Sequence, residues 1–392
     1  MHSSPVIVVQ YKPLEFLPPV MNQLLALRAA GRTVHFVGVE SEAGDEFLRT
    51  NGISRTYLPY DVNLYRNDSL VTKVTHRLAR AKRFLPCRAA LNSAVEKIAH
   101  EYGMPILWFM DTQSAALMGN RVQMYFPHVL VSIFELAEAG GRHWLGFDFA
   151  TFLNKATVVV PEFNRAHILK EHYRLKRLPC VVANTCFNHP RCTTGPLPLE
   201  ARKVFDRIGN RPVFLYQGVW TEDRRDVGFL LETIARNRPQ YCVVMMPENE
   251  AVRKLLSPYA NAFAIPYTPP PHHLSVTARA SVGVAVYTAS GRTDLERLNA
   301  VYCAPNKIYE YAGFGIPTLG NDIPGLKYTI EAAGAGICTP MEEQRILEAA
   351  DRLILNLDEY RARAARFYSS VDLQNQVTQT LIAAEGNGRS LT

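Results

Sequence analysis

From Cys303 to Asp322 the chain reads CAPNKIYEYAGFGIPTLGND. Just upstream, SVGVAVY at 281–287 is a continuous apolar run of strand character, and a polar loop, TASGRTDLERLNAVYCA, follows it. Pro305 suits the first turn of a helix that takes in Lys307, Ile308, Glu310, Tyr311 and Ala312. A Gly-rich break ends that helix, and the segment opening with Gly315, Ile316 and Pro317 is the next strand. Strand, loop, helix and strand make one turn of a parallel α/β unit. Unpaired N–H groups and the positive end of the dipole collect at the start of such a helix, which suits a diphosphate. Lys307 adds a cation, and Glu310, one turn in, is placed to accept hydrogen bonds from the two hydroxyls of a ribose. The plainer reading is an amphipathic helix in which Glu310 only favours its own N-terminal dipole.

The same alternation extends through the chain. In the first half the apolar runs are PVIVVQY (5–11), TVHFVGVE (33–40), PILWFMD (105–111), HVLVSIFE (128–135), TVVVP (157–161) and CVVANTC (180–186). A helix with Val20, Leu24 and Leu27 on one face follows the first of them and stops at Gly31. The second half repeats the pattern with PVFLYQG (212–218), YCVVMMP (241–247), NAFAIPY (261–267), SVGVAVY, IPTLGN (316–321) and AGICTP (335–340). One helix there carries Ile346, Ala350, Leu353 and Ile354. The runs are continuously apolar rather than alternating, as strands covered by helices on both faces are. Between the two sets lies CFNHPRCTTGPLPLEARK (186–203), where Pro, Gly, Thr and Asn cluster, which reads as a linker. The expected fold is α/β: two Rossmann-like, doubly wound parallel-sheet domains, residues 1–190 and 191–364, facing a cleft.

A chain of 392 residues exceeds one ordinary core, and its 47% hydrophobic and 20% charged composition is that of a soluble globular protein. No apolar run approaches the ~18 residues that span a bilayer, and MHSSPVIVVQYK is not built like a signal peptide. Seven cysteines without a C-x-x-C pair fit a reducing cytoplasm. The net charge of +7 favours anionic ligands, but no zinc-ligand pattern or RNP-like strand points to nucleic acid. There is no D-x-D, no P-loop, no G-x-S-x-G elbow, and no G-x-G-x-x-G after the first strand. Gly334-Ala-Gly336 falls between a helix and a strand and reads as a turn.

Other candidates are fewer. Asp111 and Glu135 close two strands of the first half, where a carboxylate orients or deprotonates an acceptor hydroxyl; Asp111 also suits a helix cap before Thr112-Gln113-Ser114. His128 opens a strand and reads as structural. His272 and His273 follow three prolines, which places them either near the cleft rim or at a plain helix start; as neighbours they point in different directions and do not share a metal. Pro266 and Tyr267 close a strand and offer a surface for stacking a base. Residues 73–88, KVTHRLARAKRFLPCR, combine Lys73, Arg77, Arg80, Lys82, Arg83 and Arg88 with Val74, Leu78, Ala81 and Leu85 at helical spacing. Such a helix is either a solvated face or a peripheral contact with anionic membrane.

PNKIYEYAGFGIPTLGND resembles the donor-site segment of GT-B glycosyltransferases of the family 4 type. VFLYQGVWTEDRRDVGFLLETI is similar to the first strand and glycine turn of their C-terminal domain, and PPPHHLSVTARASVGVAVY to the segment before the donor loop. ILWFMDTQSAALMG, VLVSIFELAEAGG, NKATVVVPEFNRAHIL and CVVANTC resemble, in order, the strand ends of the N-terminal domain. The resemblance implies a cytoplasmic, metal-independent and cofactor-free transferase that moves a sugar, with retention, from a nucleotide-sugar to a carbohydrate, lipid-linked or small-molecule acceptor. It implies donor binding by Gly218, Arg225 or its neighbour Arg224, Asn306, Lys307 and Glu310, and acceptor contact at Glu135 and Asp111. It also implies that the C-terminal helix, 365–392, crosses back to the N-terminal, acceptor-binding domain. Two positions depart from the pattern: Tyr302 stands where many members have a glutamate, and Val219 where many have an arginine. They leave open a non-catalytic nucleotide-sugar-binding protein on the same fold, and a GT-B epimerase that needs no acceptor.

Overall fold

The structure is a computed structural model that describes residues 4–59, 75–119, 122–136, 147–193, 195–220, 227–289, 291 and 293–388; for 75–84, 193, 387 and 388 only the backbone is described. The chain forms two compact units, one of residues 1–183 with 373–392 and one of residues 184–372.

The first unit is built on a seven-stranded parallel sheet. Its strands are β1 (Val6–Gln10), β2 (Val34–Gly38), β3 (Ser54–Tyr57), β4 (Ile106–Phe109), β5 (Val129–Ser132), β6 (Thr157–Val160) and β7 (Cys180–Val181), in the order β3-β2-β1-β4-β5-β6-β7. Every residue of β1, β2, β4, β5 and β6 is buried, which is why the sequence shows unbroken apolar runs there. β3 is an edge strand of sequence SRTY with no buried residue, so no apolar run announces it. The helix Pro18–Ala29 buries Val20, Leu24 and Leu27 and ends ahead of Gly31, whose φ is 73°.

The helix Leu373–Gly388 belongs to this unit. Leu373, Val377, Leu381 and Ala384 are buried. Its Gln376 accepts the Ala183 N–H at 2.9 Å, its Ala384 carbonyl lies 3.0 Å from His128 Nδ1, and Glu385 pairs with Arg32 at 2.8 Å. His128 therefore has a structural partner at the start of β5.

The second unit holds a six-stranded parallel sheet: β8 (Val213–Gln217), β9 (Cys242–Met246), β10 (Ala262–Ala264), β11 (Val282–Ala285), β12 (Thr318–Asn321) and β13 (Gly336–Thr339), in the order β10-β9-β8-β11-β12-β13. Strand alternation divides its core in two. Phe214, Tyr216, Val243 and Met245 pack with Leu230, Leu231 and Ile234 of helix Gly228–Asn237 and Ile346, Ala350 and Leu353 of helix Glu343–Leu355. Val213, Leu215, Cys242 and Val244 pack on the opposite face with Val276, Tyr311 and Ile316. Gln217 shares the parity of Val213 and Leu215, so it points to the face that carries helix Asn306–Gly313. Strand order reverses between β8 and β11, the place where doubly wound sheets bind ligands beyond their carboxyl ends.

The segment read as a linker is part of this unit rather than a tether. Asn184 donates to the Ala304 carbonyl at 2.8 Å, Tyr368 to that of Cys186 at 3.1 Å, and Arg191 to that of Phe314 at 3.2 Å. The unit begins at Asn184, ahead of the boundary at 190 read from composition, because proline and glycine mark breaks in regular structure and not a lack of packing.

Candidate functional site

Helix Asn306–Gly313 starts directly after Pro305, and its residues from Lys307 to Gly313 are buried. It stops where Gly315 takes φ 71°, so that the Ile316 N–H turns back to the Tyr311 carbonyl (2.9 Å) and the chain enters β12. Tyr311 pins the helix to the sheet: its hydroxyl donates to the Leu215 carbonyl (3.0 Å) and accepts the Gln217 N–H (3.3 Å). Glu310, its neighbour, is thereby held against the end of β8.

Glu310 is the centre of the site. Its side chain is only 6% exposed. The Gln217 amide donates to Oε2, and His273 Nε2 lies 3.3 Å from Oε1. Thr277 donates from Oγ1 to Gln217 Oε1 at 2.7 Å, which fixes the amide with its N–H toward the carboxylate. Burial pushes the Glu310 carboxyl up, yet His273, Lys307 and the Gln217 hydrogen bond together outweigh it and hold the group below the usual carboxylate range. A carboxylate kept ionised inside a fold is a costly arrangement without such partners. Burial, and secondarily the nearby Glu310, push the Cys186 thiol up.

Lys307, one turn ahead of Glu310, places Nζ 4.3 Å from the Tyr216 ring centroid and 5.8 Å from that of Tyr287. Asn321 holds Tyr287 in place by accepting its N–H (3.1 Å) and donating to its carbonyl (2.9 Å). Aromatic faces steady a cation without neutralising it. Asn306 opens the helix, half-buried. Gly218, next to Gln217, has φ 136°, a backbone state that glycine enters readily, and gives its N–H to the Met246 carbonyl at 2.8 Å.

Of the donor-side residues read from the sequence, the structure thus brings Gly218, Lys307 and Glu310 to one strand end and one helix, with Asn306 at that helix's start. Arg224 and Arg225 lie outside the described residues. Gln217 and Thr277 are not site candidates in the sequence, and the contact of His273 with Glu310 is not legible there. His273 does precede a short helix, Leu274–Thr277, as expected, but its ring also reaches Glu310. Tyr267 is exposed beyond β10.

The two carboxylates read from the sequence as acceptor contacts differ. Asp111 is 2% exposed and caps helix Thr112–Met118: it accepts Ser114 N (2.6 Å), Ser114 Oγ (2.9 Å) and Tyr11 N (3.1 Å). Three hydrogen bonds on a buried carboxylate leave it a holding role. Glu135, past the end of β5, is 47% exposed and 3.8 Å from Arg165, so it is accessible to a ligand. Of the basic segment 73–88, residues 73 and 74 lie outside the described residues; Leu85 is exposed, and Arg88 donates to the Met118 carbonyl at 3.4 Å.

Anabaena Alr3699/HepE in complex with UDP-glucose matches with a TM-score of 0.66 at 12% identity, covering 98% of this chain and 100% of that one. A glycosyltransferase from Rickettsia africae matches with a TM-score of 0.65 at 13% identity, covering 99% of each chain. WaaG, a glycosyltransferase involved in lipopolysaccharide biosynthesis, matches with a TM-score of 0.58 at 12% identity, covering 97% and 98%. The fold is GT-B. No protein-family model matches the chain, and no curated protein matches it by sequence. Among the described residues, no helix of this GT-B chain is long and apolar enough to cross a membrane.

Proposed function

We propose that this chain is a glycosyltransferase that moves a sugar from a nucleotide-sugar to an acceptor hydroxyl. The observation that carries the reading is Glu310, a buried carboxylate held below its usual range beside Lys307, at the carboxyl end of β8 where strand order reverses. Its oxygens suit the vicinal hydroxyls of a ribose. Lys307, Asn306 and the start of helix Asn306–Gly313 suit the diphosphate, with Arg225 or Arg224 as further cations. Complexes of HepE with UDP and UDP-glucose support a uridine donor.

In the reaction the bond from the anomeric carbon to the diphosphate oxygen breaks and a bond from that carbon to the acceptor oxygen forms. The acceptor hydroxyl gives up its proton, and the leaving nucleoside diphosphate takes the electron pair. Lys307 and the helix start stabilise the charge that grows on that leaving group, without a metal and with retention at the anomeric carbon. Glu135 is the accessible carboxylate that orients the acceptor, and Asp111 supports its own strand end. The reaction runs in the cytoplasm, and the basic segment 73–88 supports peripheral contact with anionic membrane.

Tyr302 and Val219, the two departures from the family pattern, favour a second reading, a nucleotide-sugar-binding protein without turnover. Nucleotide release from UDP-, GDP- and dTDP-sugars, with and without pooled acceptors, separates the two. Acceptor-dependent release that Glu310→Ala abolishes is the expected result; tight donor binding without release in any acceptor pool selects the second reading.

A further inference from the structure

The residues around Glu310 close into a ring. Glu310 Oε1 faces His273 Nε2 at 3.3 Å, and Glu310 Oε2 takes the Gln217 amide N–H. Gln217 Oε1 takes the Thr277 hydroxyl at 2.7 Å, and the Thr277 N–H returns to the His273 carbonyl at 3.1 Å. Each link fixes the next. The Thr277 hydroxyl sets the amide orientation of Gln217, and a carboxylate opposite Nε2 requires that nitrogen to carry the proton. His273 Nδ1, on the other side of the ring, is buried and has no hydrogen-bond partner among the described residues. The imidazole is therefore oriented by its contact with Glu310, and the contact constrains the carboxylate in return.

A carboxylate that takes the Gln217 N–H on one oxygen and faces His273 Nε2 at 3.3 Å on the other keeps one lone-pair direction on each oxygen for a ligand. That is the geometry a cis-diol satisfies and a single hydroxyl does not. We propose that His273 is a positioning residue that makes the site selective for ribonucleoside over 2′-deoxyribonucleoside diphosphates, by holding Glu310 in the orientation that accepts both ribose hydroxyls. The inference rests on the donor-site reading of Glu310. His273 acts through Glu310, so its removal lets the carboxylate rotate toward Gln217 alone. Binding through one hydroxyl survives, and the preference for two does not.

The test is calorimetric titration of the full chain with UDP, GDP and their 2′-deoxy analogues, for wild type, His273→Ala, His273→Gln, Thr277→Val and Glu310→Ala. Wild type is expected to bind one ribonucleotide about tenfold or more tightly than its deoxy analogue, the size of a charge-assisted hydrogen bond. His273→Ala is expected to lose most of that ratio by weakening the ribonucleotide and leaving the deoxy form nearly unchanged. His273→Gln, which restores an N–H donor, is expected to recover part of it. Thr277→Val, which opens the ring at another link, is expected to shift the ratio as His273→Ala does, so the inference stays testable if one variant misfolds. In a Glu310→Ala background, His273→Ala is expected to change nothing further. A wild-type ratio retained by folded His273→Ala and Thr277→Val overturns this inference while leaving the donor site in place. Failure of the wild type to bind any nucleotide overturns the donor-site reading and this inference with it.

Discussion

Tyr311 and Gln217, 94 positions apart, are joined by a hydrogen bond from the Gln217 backbone N–H to the Tyr311 hydroxyl, which itself donates to the Leu215 carbonyl. The hydroxyl is fully buried, and burial raises its pKa well above the tyrosine range, so it remains a neutral donor across the working pH. Tyr311→Phe removes one partner from two buried backbone groups of β8. We expect a loss of about 1–3 kcal/mol in urea unfolding, together with weaker nucleotide binding because Glu310 rides on the same helix turn. Unchanged stability would show that water replaces the hydroxyl.

Glu310 also predicts an acid response. Its folded-state pKa lies below the ordinary value of 4.5, so the fold favours its ionised form. The stability it contributes is fully present above about pH 4.5 and is lost as pH falls through the depressed value. Wild type and Glu310→Gln should therefore differ most in unfolding midpoint near neutrality and converge on acidification. A gap that widens toward low pH would reverse the assignment.

Gly283 in β11 faces the Tyr311 ring, and a Cβ added there would stand 2.2 Å from Cδ2. No side chain fits without moving the ring. Gly283→Ala is expected to destabilise by about 1–3 kcal/mol through overpacking and to weaken donor binding through Tyr311, which thermal melts and nucleotide titration read separately.

Lys307→Met keeps a long apolar side chain against Tyr216 and removes the charge. Nucleotide-sugar affinity should fall by about tenfold, the salt dependence of binding should flatten, and melting should fall as well, because Lys307 is one of the charges that keep Glu310 ionised. Equal affinity for the uncharged nucleoside before and after the substitution would confirm that the diphosphate is the group affected.

The two acceptor-side carboxylates should separate cleanly. Asp111→Ala removes a helix cap and orphans the Tyr11 N–H, with an expected cost of about 1–3 kcal/mol in unfolding. Glu135→Gln, at an exposed position, should leave stability within about 1 kcal/mol and reduce transfer to acceptor without altering donor affinity. Loss of donor binding in Glu135→Gln would remove it from the acceptor side.

The strands were legible because burial on both faces writes itself into sequence as unbroken runs such as VFLYQ and VIVVQ. β3 was not, since an exposed edge carries SRTY without an apolar signal. Glu310 and Lys307 were legible from one local segment. Their partners were not, because Gln217 meets Glu310 across 93 positions and only the parity of β8 and the packing of one helix bring them together. A signal did exist: Gln217 closes an otherwise apolar strand, and a buried carboxylate demands partners of that kind. His273 was hidden by its own neighbour, since an adjacent His pair after three prolines reads as a helix start until one ring is seen to reach Glu310.

The return of helix Leu373–Gly388 to the first unit bears on the order in which the protein comes into being. All of residues 184–372 leave the ribosome as one uninterrupted stretch and contain everything their sheet requires. The first unit emerges earlier, yet Ala183, His128 and Arg32 receive Gln376, Ala384 and Glu385 only afterwards. The surface beneath that helix can therefore be covered only once residues 373–388 have been made, after every strand of the second unit.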